Sequence, residues 1–304
     1  MPAGYPGRSA VTASPPWWTR RPRHADGTAR PRYPAGRSGA GDAGDAMAEP
    51  DGARAGRVDT DLGRLAGVSD QGFGHERNED AMALGRTTDG TVAAVVCDGV
   101  STSYTPERAS RAAADRALDV LLTTAGPAPD RVRAAVSAAG SAVAALEHDL
   151  GGRAPSCTLV CALVTADEEI TVGWVGDSRA YWLADSGEAR LLTTDHSWAV
   201  QMVAAGVLDE GAAMRHPRAH AITRWLGATG TTEPEAMTLR PAGPGLLLLC
   251  TDGLWNYLPE PADLADVALP AIADGGPLAA ADTLTALALD AGGRDNITVV
   301  VIPA

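Results

Sequence analysis

The chain has 304 residues, a net charge of −13 and 45% hydrophobic residues, with one Phe and five Tyr, so its core is built mainly from Ala, Val and Leu. Such a length fits one large domain with a tail, or two small domains. Residues 1–46 hold seven Arg against three Asp, which leaves −17 on residues 47–304, and an acidic body disfavours nucleic acid as the main partner because backbone binding needs a basic face.

All 25 basic residues are Arg, which reads as a coding bias rather than a functional choice. Residues 1–57 are rich in Pro, Gly, Ala and Arg and show no apolar period, as a disordered tail would. Met47 is an alternative start. Trp17-Trp18 and Arg20-Arg21-Pro22-Arg23 form a candidate docking patch within the tail. The ordered domain is placed at 58–304.

Leu62 to Ser69 reads as a first strand, followed by a Gly-rich turn, Asp70-Gln71-Gly72-Phe73-Gly74. Strands are expected over 80–85 and 91–97, with Thr88-Asp89-Gly90 turning between them. A polar loop, Ser101 to Thr105, leads into a helix that opens on Pro106 and runs to about Leu122. Ala109, Ala113, Ala117 and Leu121 give it an apolar stripe. A second helix is expected over 128–149. Three strand-like runs, 157–165, 170–176 and 179–184, look like a β-meander. His196 to Gly206 reads as helical, and acidic, Pro-containing segments to about 220 read as a surface insertion. Strands near 236–240 and 245–251, a helix over 277–291 and a last strand, Ile297 to Ile302, complete the chain. Runs of strands interrupted by pairs of helices, without βαβ alternation, indicate an α+β fold with two stacked antiparallel sheets flanked by helix pairs.

Cys97, Cys157, Cys161 and Cys250 lie in or beside apolar runs with no CxxC pair, and read as buried reduced thiols. No stretch reaches the ~18 apolar residues of a membrane helix, and the start lacks an apolar signal-peptide core. A soluble, cytoplasmic monomer without membrane contact is expected.

The chemistry lies in four acidic stretches far apart in sequence: Asn78-Glu79-Asp80, Asp98-Gly99-Val100, Thr251-Asp252-Gly253 and Arg294-Asp295-Asn296. Asp98 and Asp252 follow apolar runs and Asp295 precedes one, so all can meet at one sheet edge. Like charges brought together repel and raise one another's pKa values unless cations sit among them. Oxygen ligands of this kind suit Mn²⁺ or Mg²⁺, and the pattern points to a two-metal hydrolytic site.

The ordered motifs resemble the metal-dependent protein phosphatase family of the protein phosphatase 2C type, in family order across residues 62–302. They are Arg77-Asn78-Glu79-Asp80-Ala81, Cys97-Asp98-Gly99-Val100, Ser156-Cys157-Thr158-Leu159-Val160 and Val175-Gly176-Asp177-Ser178-Arg179-Ala180-Tyr181. They continue as Leu192-Thr193-Thr194-Asp195-His196-Ser197, Ile222-Thr223-Arg224-Trp225-Leu226-Gly227, Thr251-Asp252-Gly253-Leu254-Trp255 and Gly293-Arg294-Asp295-Asn296-Ile297-Thr298. The resemblance implies an α-β-β-α four-layer sandwich with two Mn²⁺ or Mg²⁺ ions in a cleft between the sheet edges. It implies that Asp98 bridges both ions, that Glu79 and the Gly99 carbonyl serve one, and that Asp252 and Asp295 serve the other. Asp80 would stand behind them and fix water by hydrogen bonds. A shared water would attack phosphoserine or phosphothreonine esters in line, without a phosphoenzyme. The substrates implied are proteins phosphorylated by a serine/threonine kinase.

The chain departs from the family pattern at three places. His75 stands where the family has its phosphate-gripping Arg, and Arg77 stands two residues later. In an extended segment His75, Arg77 and Glu79 would share one face, so either His75 or Arg77 is a candidate phosphate ligand, with an ion-pair role as the alternative for Arg77. Arg153 stands near the position of the family's third-metal Asp, so two ions rather than three are expected. Val100 replaces a His that some members carry as a candidate acid. Asp177, Asp195, His196, His216 and His220 are read as structural. Trp255 is read as packing under the Asp252 loop, and 198–220 corresponds to the family's mobile flap. Two other readings compete: a pseudophosphatase that binds phosphoproteins as a regulatory module, and a two-metal phosphodiesterase or nuclease, which the acidic body disfavours.

Overall fold

The computed structural model describes residues 56–147, 153–230 and 233–304. The predicted disordered tail and its Trp and Arg clusters lie outside the described residues, apart from Gly56 and Arg57. Thirteen strands and six helices follow among those described. In chain order they begin with β1 (Arg57–Asp61), β2 (Ala66–Asp70), β3 (Asp80–Arg86), β4 (Val92–Asp98), α1 (Pro106–Thr123) and α2 (Ala128–Ala144). Next come β5 (Ser156–Cys157), β6 (Leu159–Val164), β7 (Ile170–Val175), β8 (Arg179–Ala184), β9 (Ala189–Leu191), α3 (Trp198–Ala204) and α4 (Glu210–Met214). The chain closes with β10 (Leu226–Gly227), β11 (Glu235–Leu239), β12 (Gly245–Cys250), α5 (Asp252–Trp255), α6 (Pro261–Asp290) and β13 (Ile297–Pro303).

Two antiparallel sheets carry the fold, one ordered β1-β2-β13-β12-β8-β9 and the other β11-β7-β6-β4-β3. The period-two alternation of strand side chains divides the core into three layers. On β4, Ala94 and Val96 face the other sheet and meet Leu247, Leu249, Val300 and Ile302. Val95 and Cys97, on the opposite face, meet Ala113, Ala117 and Leu121 of α1 and Val132 and Val136 of α2. On the first sheet, Leu246, Leu248, Val299 and Val301 face outward onto Leu264, Ala268, Leu284 and Ala288 of α6. Helices thus cover both outer faces, and the expected four-layer α+β sandwich is the observed one.

Four local expectations need correction. β1 lies before the expected first strand, and Leu62–Ser69 is a turn followed by β2. α2 ends at Ala144 rather than at 149. The expected meander is broken: β6 and β7 pair, but β8 leaves for the other sheet and pairs β12 and β9. The crossing is the Gly176-Asp177-Ser178 turn, where Gly176 has φ 110°, a backbone conformation that glycine adopts without a Cβ penalty. Finally, the helix expected over 277–291 has an N-terminal partner beginning at Pro261, and the two meet at Gly276, whose φ of 78° and ψ of −170° are not helical. Taken whole, α6 is long and apolar enough to cross a membrane. The Gly276 break divides it into two shorter rods, each with a face buried on the sheet.

Candidate active site

Antiparallel pairing brings the acidic stretches together. β3 begins at Asp80 and β4 ends at Asp98, and these two residues are cross-strand partners. In the other sheet β12 ends at Cys250, opposite Val299 of β13, so Asp252 and Asp295 emerge at one end. Hydrogen bonds then tie the sheets at this edge. Asp80 Oδ2 accepts from Thr251 Oγ1 at 2.9 Å and from Thr298 Oγ1 at 2.7 Å. Asn296 Oδ1 accepts from the Glu79 amide at 2.7 Å, while its Nδ2 donates to the carbonyls of Gln71 and Arg77. Ser101 Oγ donates to Glu79 Oε2 at 2.5 Å, and Asn256 Nδ2 donates to Asp252 Oδ2 at 3.2 Å. Thr251, Asn296 and Thr298 stand within the quoted motifs without a role assigned to them, and Ser101 and Asn256 went unnoticed as site residues, because a lone hydroxyl or amide carries no spacing signal.

The two candidate phosphate ligands diverge. Residues 72–77 form turns and bends rather than an extended run, so the expected shared face is lost. His75 Nε2 lies 3.0 Å from Asp295 Oδ1, within the acidic cluster. Arg77 is 72% exposed, with its guanidinium 3.6 Å from Glu107, a loose surface pair worth little. Arg153 donates to Thr102 Oγ1 at 2.8 Å, on the loop that follows Asp98-Gly99.

The other flagged residues have packing partners. Trp255 is buried, donates Nε1–H to the Asp177 carbonyl, and has the Arg179 guanidinium 3.7 Å from its ring centroid. Arg179 holds Asp195 through two bonds, of 2.9 and 2.7 Å. His196 Nδ1 accepts from the Gly176 amide, which leaves Nε2 to face Glu235 at 3.0 Å. His216 stacks on Trp198, and His220 tilts over Trp255. Asp177 is buried among the acids, and its charge acts on Asp98.

Burial first, and then the mutual repulsion of the carboxylates, raises their pKa values. Asp98 is pushed well above the carboxylate range by burial and by Asp80, Asp252, Asp177 and Asp295. Asp80 is pushed up to about 8 by burial, against the two Thr hydrogen bonds. Asp252 rises to about 6 through burial and Asp295, opposed by the Asn256 hydrogen bond and then by Arg179 and His75. Among the described residues no three His, Cys, Asp or Glu side chains close around one point that would hold a cation. Glu79 is turned to Ser101 and Asp252 to Asn256. The donor set nonetheless fits Mn²⁺ or Mg²⁺, since it consists of hard carboxylate oxygens whose charge the nearby bases do not balance.

The shifts have a measurable consequence. A carboxyl whose folded pKa lies above its unfolded value binds the proton more tightly when folded, so stability falls as pH rises between the two values. For Asp80 that window runs from 3.8 to about 8, and for Asp252 from 3.8 to about 6. Metal-free protein is therefore expected to show a falling thermal midpoint from pH 5 to 8, and millimolar Mn²⁺ is expected to restore it at pH 8. Differential scanning fluorimetry checks both. A flat profile, or no response to Mn²⁺, contradicts the charge balance described.

Two large antiparallel sheets with helices on their outer faces are the fold shared with the solved bacterial serine/threonine phosphatases. Residues 74–275 match the family described as Protein phosphatase 2C, and the chain belongs to that family. It is 30% identical to the serine/threonine phosphatase Stp of Listeria monocytogenes over 77% of this chain and 93% of that protein. The crystal structure of the serine/threonine phosphatase PstP/Ppp from Mycobacterium tuberculosis superposes with a TM-score of 0.64 at 31% identity, over 78% of this chain and 97% of that one. A PstP catalytic domain in complex with two manganese ions superposes at 0.63 with 28% identity, over 79% and 98%.

Proposed function

We propose that this protein is a metal-dependent serine/threonine phosphoprotein phosphatase that cleaves phosphate monoesters by direct attack of water. The observation that carries the reading is the gathering of Asp80, Asp98, Asp252 and Asp295 at one sheet edge, where burial and the neighbouring charges, Asp295 among them, raise the pKa values of Asp80, Asp98 and Asp252. Asp98, Glu79 and the Gly99 carbonyl, with Asp252 and Asp295, would hold two Mn²⁺ or Mg²⁺ ions. When bound, such a pair lowers the pKa of a shared water and offsets charge on the phosphoryl oxygens.

The chain's own residues supply the rest. Asp80, clamped by Thr251 and Thr298, accepts a hydrogen bond from solvent in the cleft and aims it. Either His75, beside Asp295, or the exposed Arg77 on the same turn would hold an incoming phosphate dianion. Asn296 fixes the Glu79 backbone against the 71–77 turn, so the two sides of the site keep their spacing. The substrates are phosphoserine and phosphothreonine proteins of a bacterial serine/threonine kinase, met by this chain in the cytoplasm.

The test is phosphate release from a phosphothreonine peptide by the full chain. Activity is expected with Mn²⁺ and is expected to vanish in EDTA and return when Mn²⁺ is added back. Binding of phosphopeptide without release, at any Mn²⁺ concentration, would instead favour the pseudophosphatase reading.

A further inference from the structure

Residues 47–304 carry −17, and carboxylates answer several of their arginines. Arg57 faces Asp59 and Asp282, Arg179 faces Asp195, and Arg240 faces Asp167 and Glu169. Arg153 differs from these. It is exposed, and its side-chain partner is a hydroxyl, Thr102 Oγ1, to which Nη1 donates at 2.8 Å. No acidic side chain pairs with it among the described residues.

An exposed arginine is ordinary, but this one has a built position. Thr102 follows Ser101, whose Oγ donates to Glu79 Oε2 at 2.5 Å, so two adjacent residues touch the acidic edge and the guanidinium. Consecutive Cα atoms stand about 3.8 Å apart, which sets the Arg153 head beside the carboxylate cleft. The loop between them is pinned to the Arg153 segment. The Tyr104 amide donates to the Arg153 carbonyl at 3.0 Å, and the Val100 amide donates to the Ser156 carbonyl at 2.9 Å. The Ser156 amide in turn donates to Ser103 Oγ at 3.3 Å. Glu107, the acid just beyond this loop, is met by Arg77 at 3.6 Å. The bond to Thr102 uses a single N–H of the Arg153 fork, and a guanidinium has others that suit a planar carboxylate.

We infer that Arg153 is a specificity-determining residue that binds the carboxylate of a Glu or Asp flanking the phosphorylated residue of a peptide substrate. The inference rests on the proposed phosphatase reading and deepens it. The acids of the cleft repel such a side chain, and Arg153, held by Thr102, reverses the sign of the charge that it meets. A small aryl phosphate, with no flanking residue, would not use the contact.

The test compares wild type, Arg153→Ala, Arg153→Lys and Arg153→Glu with Mn²⁺ present. The substrates are p-nitrophenyl phosphate and two fluorescein-labelled phosphothreonine peptides, with Glu or its neutral isostere Gln on both sides of the phosphothreonine. Arg133→Glu, on the exposed surface of α2, reports the effect of net charge alone. Wild type is expected to prefer the Glu peptide about threefold in kcat/KM, and to lose that preference in about 0.5 M NaCl. Arg153→Ala is expected to level the two peptides, and Arg153→Glu to favour Gln about threefold. Arg153→Lys is expected to keep part of the preference for Glu. Turnover of p-nitrophenyl phosphate is expected to change less than about twofold in every variant, with unaltered thermal midpoints. No preference in wild type, an unchanged preference in Arg153→Ala, or an equal change in Arg133→Glu overturns the assignment. If wild type hydrolyses none of the three, the phosphatase reading fails separately. Fluorescence anisotropy then decides on Arg153: tighter binding of the Glu peptide that Arg153→Ala abolishes supports it, and any other pattern overturns it.

Discussion

Asp98→Asn is expected to abolish phosphate release, with kcat reduced about 10³-fold or more, about 4 kcal/mol of barrier, while raising the thermal midpoint of the metal-free protein. The two effects have one cause. Asp98 is the carboxylate on which burial and the charges of Asp80, Asp252, Asp177 and Asp295 all act. Its charge is costly without a cation and central with one. Asn keeps the shape and removes the charge, so the metal-free site relaxes, while a site that binds a cation as proposed would lose one of its carboxylates. Calorimetric Mn²⁺ titration is expected to show weaker binding alongside the lost turnover. A variant that turns over normally, or one that becomes less stable when metal-free, would sink the assignment of Asp98 to the middle of the cluster.

Gly253→Ala is expected to damage stability and activity together. Gly253 follows Asp252 on α5, and a Cβ there would stand 1.9 Å from the carbonyl oxygen of Asn296 and 2.8 Å from its carbonyl carbon. Neither backbone atom can rotate away as a flexible side chain would. The two loops must part, and they carry Asp252 on one side and Asp295 on the other. Overpacking of this sort costs typically about 1–3 kcal/mol. Separating the two acids is expected to lower kcat at least about tenfold through misplacement alone. Chemical denaturation and phosphopeptide turnover of the one variant check both effects. An unchanged denaturation midpoint would show that the approach of the two loops is not needed.

Much of this site is legible in the sequence because its signals are local. Asp98 and Asp252 stand directly beyond apolar runs, Asp80 and Asp295 just before them, and each run forms the strand expected. The helix α1 declares itself through Pro106 and the Ala109-Ala113-Ala117-Leu121 stripe, all five residues being buried. What escaped depends on partners distant in sequence. Nothing in residues 179–184 tells which sheet they join, since either sheet would bury Ala180 and Trp182 equally well. The first half of α6 does carry a readable stripe, Leu264, Ala268 and Ile272, interrupted by Pro270. His75 and Arg77 could not be separated by alternation, because Gly72 and Gly74 turn the segment that alternation assumes to be straight.

The pairing of β2 with β13 joins chain segments far apart, and Ser69 shares a hydrogen bond with Thr298 across 229 positions. Pairings of that span close their loops late and at high entropic cost, so folding of this sandwich is governed by long-range closure rather than by local hairpins. The carboxylates are distributed over the same span, from Glu79 to Asp295. During synthesis the β3–β4 half can pair long before Asp252 and Asp295 leave the ribosome, but the carboxylate cluster cannot close. Hydrolytic competence is thereby coupled to synthesis of the chain through β13.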